Sequence, residues 1–292
     1  ILPLVGACDP KERPRMVGDP AISAVKLTYC VGSKTIVDAA SLQVGAGEFV
    51  AVVGPNGAGK SSLIGLMAGD LRPSGGSVAI SGTPVDSSTK SLMAQLRTVM
   101  PQRTSVSFPF TAYEVVMMGR HPYQSGWRQA TDHDRRVAES AMKETGVFEF
   151  KDRIYSTLSG GEQRRVALAR AFAQQTDVLL LDEPTSALDI GHQELVMHRC
   201  REKASSGQTL LAVLHELNVA AAYADKIAVM LEGKIVAYDV PEVVFQANSL
   251  ETVFDYPVLV TKHPESGKPV ILPSGDSVIG MQSNSTKIGV EE

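Results

Sequence analysis

The sequence predicts an α/β protein: a parallel sheet buried on both faces, a small antiparallel layer ahead of it, and a helical lobe inserted in the core. Three short apolar runs predict the sheet: EFVAVV at 48–53, VLLL at 178–181 and TLLAVL at 209–214. Each has strand length, and a run without alternation suits a strand covered on both faces. The lobe is predicted by a change of character over residues 103–157, where two helix-like stretches flank an aromatic and glycine-containing loop.

Residues 1–20 contain Pro3, Pro10, Pro14 and Pro20 with little periodicity, and are expected to form a loose arm. Within it, Leu4 to Cys8 superficially matches a lipoprotein cleavage site. No charged start or apolar segment precedes it, so lipidation is not expected. The chain starts at Ile1 rather than Met, so an upstream piece could precede it. Residues 22–53 are expected to be strands forming a small antiparallel layer ahead of the P-loop. Turn signals over 75–84 bracket one more short strand at 77–81. Residues 91–98 look helical and lead to a strand end at Gln102. In the lobe, helices are expected at 112–118 and 132–145, with a loop at 120–130. A further helix is expected at 164–174 (RRVALARAFAQ). Strands follow at 177–182, 209–215, 226–231 and 234–238, with Gly233 turning between the last two. Residues 241–247 read as a short helix. After Asp255 a proline- and glycine-rich stretch suits a small β-type extension up to Pro273, and from Ser274 a frayed tail. The division expected is an arm (1–20), one main domain (21–255, lobe about 103–157) and a C-terminal extension with tail (256–292).

Two glycine-rich turns open helices. The first, Gly54-Pro55-Asn56-Gly57-Ala58-Gly59-Lys60-Ser61, has the P-loop spacing and lies between a strand-like run and a helix-like one. Its glycines let backbone wrap a phosphate. Lys60 would neutralise β- and γ-phosphate oxygens, and the Ser61 hydroxyl would ligate Mg²⁺, with Ser62 next to it. The second turn, Leu158-Ser159-Gly160-Gly161-Glu162-Gln163, fits a capping box with Ser159 at the N-cap and Glu162 at N3. Two consecutive glycines exceed what a cap needs, and they cost backbone entropy. They make sense where backbone must approach an anion at a helix start. One P-loop and two anion cradles suggest a head-to-tail pair, each P-loop closed by the second cradle of the other copy.

The run at 178–181 ends in Asp182-Glu183, and the run at 209–214 ends in His215. Ligands of open α/β sheets bind beyond the carboxyl ends of strands. Asp182 would hold Mg²⁺, and Glu183 could polarise the attacking water. His215 could touch the γ-phosphate. Taken singly, Glu183 reads more readily as a solvated loop carboxylate and His215 as a satisfied core histidine; the P-loop and LSGGEQ beside them favour the functional roles.

Together these residues resemble the nucleotide-binding subunit of ABC transporters, over about residues 22–254. The motifs fall in family order: Tyr29, the P-loop, Gln102, LSGGEQ, VLLLDEP, Ser186-Ala-Leu-Asp189, then His215. The resemblance implies a RecA-like P-loop ATPase core, ATP with Mg²⁺, and a homodimer. By the same resemblance Tyr29 stacks on adenine, Gln102 links the Mg²⁺ site to a mobile lobe, and Asp189 lies at the dimer seam. Glu216 stands where the family usually has Asp after the histidine. The stretches FPFT, MGRHPY and HPESGK are similar to the importers for iron chelates, haem and cobalamin, and most to the haem importer ATPases. That resemblance implies two transmembrane permease subunits, an extracytoplasmic substrate-binding protein, and a place on the cytoplasmic face of the membrane.

Composition narrows the classes further. A net charge of −4 argues against binding nucleic acid through bulk electrostatics. The second cassette or long coiled coil of nucleic-acid-clamping relatives is not seen. No apolar stretch approaches the roughly 20 residues a spanning helix needs, so any pore is expected to be another polypeptide. Cys8, Cys30 and Cys200 have no metal spacing and are expected to be free thiols. His121, His133, His192, His198 and His263 are expected to be surface residues and not haem ligands, by resemblance to the family.

Overall fold

The structure, a computed structural model, describes residues 19–102, 108–124 and 130–275. The expectations for the arm, Cys8 and most of the tail lie outside the described residues. Strands β1 (Ile22–Val31) and β2 (Lys34–Val44) lead to β3 (Phe49–Val53) and helix α1 (Lys60–Ala68). Next come β4 (Gly75–Ile80), β5 (Thr83–Pro84), α2 (Lys90–Leu96) and β6 (Arg97–Met100). After these come α3 (Ala112–Met117), a 3-10 turn over Met118–Tyr123, α4 (Asp132–Glu144) and α5 (Gly160–Ala173). Then follow β7 (Val178–Asp182), α6 (Ile190–Ser205), β8 (Thr209–Val213), α7 (Leu217–Tyr223), β9 (Lys226–Leu231) and β10 (Lys234–Asp239). The chain closes with α8 (Pro241–Val244), α9 (Ala247–Phe254) and the ribbon β11 (Val258–Lys262) with β12 (Pro269–Pro273).

The main sheet has the order β10-β9-β3-β8-β7-β6, parallel except for the β10–β9 hairpin. The antiparallel layer runs β2-β1-β4-β5. The run at 48–53 therefore splits from the strands before it: β3 is central in the parallel sheet, whereas β1 and β2 stay in the layer. All five residues of β3, β7 and β8 are buried. Successive strand residues point to opposite faces. Accordingly Phe49, Ala51 and Val53 join one core with Leu179 and Leu181, while Val50 and Val52 join another with Val178 and Leu180. The first core carries α3 to α7 and the C-terminal elements; the second carries the antiparallel layer and α1.

The helix at 91–98 is shorter than its pattern suggests. It ends at Leu96, and Arg97 and Thr98 already belong to β6, paired in parallel with β7. The helical reading at 241–247 breaks at Phe245, and a second helix, α9, follows; the sequence reading contains no such helix. The extension at 258–273 is a ribbon anchored where Asn218 of α7 exchanges hydrogen bonds with the Ile271 backbone.

Helices α3, α4 and α5 pack on one another. The buried Arg120–Asp134 pair (2.9 Å) fixes α4 to the end of α5, since Arg120 also donates to the Ala173 carbonyl at 2.8 Å. Gly119 is a close approach within this packing: an added Cβ would stand 2.3 Å from the Arg170 carbonyl oxygen on α5. Helix backbone cannot yield as a side chain can. Gly119→Ala is therefore expected to cost about 1–3 kcal/mol, the usual range for overpacking, read as a lower urea midpoint at unchanged slope.

Candidate nucleotide site

The P-loop grows from the strand end of β3 and feeds α1. Its Gly54 has φ +151°, and a Cβ there would meet the Met230 carbonyl oxygen at 2.1 Å. Gly59, at φ +98°, would meet the Ile36 carbonyl oxygen at 2.6 Å. Both glycines are thus demanded by protein backbone behind the loop, which leaves the front free. Gly233 pins the loop from the same side by donating to the Ala58 carbonyl at 3.0 Å. Helix α1 has no side-chain cap at Gly59, so its first N–H groups keep their capacity for an anion. The Lys60 ammonium donates to the carbonyls of Gly54 (2.8 Å) and Pro55 (2.9 Å). Burial lowers its pKa, against the opposing charges of Glu183 and Asp182. Pro55, Asn56, Gly57 and Ser62 line the same turn. Tyr29 pairs across the antiparallel sheet with Val37, next to Ile36.

Strand order brings the other groups to the same rim. β8 lies between β3 and β7, and Val213 is in register with both Val52 and Asp182. His215 therefore projects between the P-loop and Asp182-Glu183. Ser61 Oγ donates to Asp182 Oδ1 at 3.2 Å. Gln102 Nε2 donates to Glu183 Oε1 at 2.8 Å, and His215 Nε2 lies 2.6 Å from the same oxygen. Burial alone would raise the Glu183 carboxyl, but the bonds from His215 and Gln102 outweigh it and hold it below its ordinary range. Burial raises Asp182, against the Ser61 hydrogen bond. Glu183 also sits in the left-handed region at φ +53°. A non-glycine residue there costs about 1–3 kcal/mol and persists only where its surroundings hold it.

Ser159 and Glu162 form the capping box read in the sequence: Glu162 N–H donates to Ser159 Oγ (3.3 Å) and Ser159 N–H to Glu162 Oε2 (2.7 Å). Gly160 is exposed with open space where a Cβ would go, whereas Gly161 abuts the Ala187 carbonyl and Leu188. Among the described residues, no hydrogen bond joins this turn to the P-loop of the same chain. Asp189 caps α6 through the His192 N–H and also faces outward.

Arg164 was not singled out by sequence reasoning. Its guanidinium is buried and meets four backbone carbonyls: Glu183 (2.9 Å), Gln102 (2.7 Å), Pro101 (3.1 Å) and Asp182. Part of a signal was available: Arg164 stands in the second turn of α5, directly ahead of the run VALA at 166–169 that is buried throughout, and a buried charge needs partners.

Among the described residues no cluster of three His, Cys, Asp or Glu could hold a metal alone. Two oxygen donors beside a phosphate cradle suit Mg²⁺, which is commonly held by one or two carboxylates together with substrate phosphates.

This fold and rim define a P-loop nucleotide-binding protein. Comparison with known proteins narrows the class. The ABC transporter family matches residues 37–186. The hemin import ATP-binding protein HmuV of Streptomyces coelicolor is 45% identical over 89% of this chain and 92% of its own. HmuV of Thermobifida fusca is 44% identical, over 88% and 89%. Among solved structures, an inward-facing metal-chelate type ABC transporter aligns with TM-score 0.75 at 25% identity, over 89% of this chain and 99% of its own. The dimeric bacterial ABC transporter cassette MJ0796 aligns at 0.68 with 26% identity, over 75% and 98%. The chain belongs to the ABC transporter family, as an ATPase subunit.

Proposed function

We propose that this chain is the ATP-hydrolysing motor of a haem importer, working as a homodimer beneath a separate transmembrane permease. The observation that carries the catalytic reading is the convergence of Gln102 and His215 on the Glu183 carboxylate, one residue past the Asp182 that meets the P-loop Ser61. Lys60 leaves the loop carbonyls for the phosphates, and Tyr29 supports the base. Magnesium, when bound, neutralises charge on the phosphate oxygens. Ser61, Asp182 and Gln102 would hold it. Glu183 orients the attacking water and takes its proton. His215 and Gln102 hold the carboxylate in place. Ser159 to Glu162, with Asp189, close the P-loop of the second copy, so ATP selects the paired state.

Among the described residues no helix is long and apolar enough to cross a membrane; the place as a peripheral subunit on the cytoplasmic face rests on the family resemblance. The permease is placed on the lobe near residues 102–123. Phe108 is exposed there, edge-on to Phe110 at 6.1 Å, while Phe110 packs against the core. Phe108→Asp is expected to uncouple transport while basal ATPase stays within about twofold, as a surface change away from the site. An extracytoplasmic binding protein completes the system by family resemblance.

The cargo assignment rests on the relatives named for hemin import. In proteoliposomes with its cognate permease and binding protein, the complex is expected to accumulate haem in preference to ferric siderophores or cobalamin. Vesicles that hydrolyse ATP and concentrate a siderophore but no haem would reject the cargo and leave the ATPase standing.

A further inference from the structure

We infer that Arg164 is a positioning residue for hydrolysis, tying the start of α5 to the strand ends that carry Gln102 and Glu183. The inference rests on the reading of Glu183 as the base. Arg164 follows the exposed turn Ser159–Glu162 by one helical turn, so it belongs to the element that would meet the second copy. Its head group nonetheless lies inside the nucleotide rim. Nε donates to the Glu183 carbonyl at 2.9 Å, Nη1 to the Gln102 carbonyl at 2.7 Å and the Pro101 carbonyl at 3.1 Å, and Nη2 to the Asp182 carbonyl. One planar group thus spans the ends of β6 and β7.

Two further facts make this more than packing. Glu183 is held at φ +53°, a conformation that needs an external restraint, and Arg164 bonds its carbonyl. Gln102 hydrogen-bonds the Glu183 carboxylate with its side chain while its own backbone is held by Arg164. The same guanidinium therefore fixes the Glu183 backbone and the residue that orients its side chain. A shift of α5 would reach both groups through rigid hydrogen bonds. Lysine cannot substitute, because a single ammonium lacks the fork that reaches two strand ends.

Glu183 faces His215 from β8, Gln102 from β6, Asp182 on its own strand, Lys60 from α1 and Arg164 from α5. Charge and geometry are separable with two variants. Arg164→Lys keeps the charge and loses the span; Arg164→Gln loses both.

The test uses the full chain with Mg-ATP, measuring ATP binding stoichiometry and affinity beside kcat. Both variants are expected to bind one ATP per chain with affinity within about threefold, while kcat falls by roughly 10- to 100-fold, in the range seen when a positioning contact is lost. Wild-type kcat in both variants, with Glu183→Gln inactive, overturns the inference and leaves the base reading intact. So does a fall in kcat matched by an equal loss of ATP-binding stoichiometry, which means a purely structural role. A Glu183→Gln protein that turns over normally overturns the base reading, and this inference with it.

Discussion

Glu183→Gln is expected to bind Mg-ATP as the wild type does and to lose hydrolysis by about 10²–10⁴-fold, the range for removing a general base. The substitution keeps the shape of the side chain. The amide oxygen can still accept from Gln102 Nε2, which donates at 2.8 Å. What disappears is the carboxylate held in its charged form by His215 and Gln102. Binding should be spared because the phosphate cradle is built from Gly54 to Ser61, on a different strand end. The variant should therefore accumulate ATP-bound closed dimers, visible as doubled mass by light scattering. Wild-type turnover in this protein would remove Glu183 from the base role.

The parallel core was legible because β3, β7 and β8 are covered on both faces, and such strands read as unbroken apolar runs. The P-loop was legible for a related reason: its glycines are required by local backbone geometry, which sequence spacing records directly. The edges of the fold were harder. Arg97 and Thr98 continue a helical pattern yet join β6, because pairing with Val178 and Leu179 overrides local preference. Helix α9 is absent from the sequence reading although Leu250, Val253 and Phe254 stand at i, i+3 and i+4, because its eight residues fall short of the roughly 10–12 over which a helical pattern separates from other short apolar runs. Arg164 was missed for a different reason. Its partners are backbone carbonyls, and main-chain acceptors leave no residue-type signal at 101, 102, 182 or 183. A side-chain pairing such as Ser61 with Asp182 announces both members by type; a side chain bound to backbone announces one.

A mixed dimer of Ser159→Arg with Lys60→Ala is expected to trap one ATP per two chains, where either variant alone traps none. The motive is the outward-facing capping box of α5, with open space over Gly160 and no hydrogen bond to its own P-loop among the described residues. If each cradle serves the other copy, the Ser159→Arg chain contributes an intact P-loop to a site closed by the intact turn of the Lys60→Ala chain. The second site then carries both lesions. If each cradle served its own chain, every site would carry one lesion and mixing would restore nothing. Arginine at 159 also removes an N-cap, which costs about 0.5–2 kcal/mol. Ser159→Asp controls for this, because aspartate caps a helix well yet places a negative charge where phosphate would sit. It should behave like Ser159→Arg in the mixed dimer while unfolding at the wild-type midpoint. Trapping by neither mixture, with both chains folded and paired, would place the two cradles on one molecule and end the head-to-tail arrangement.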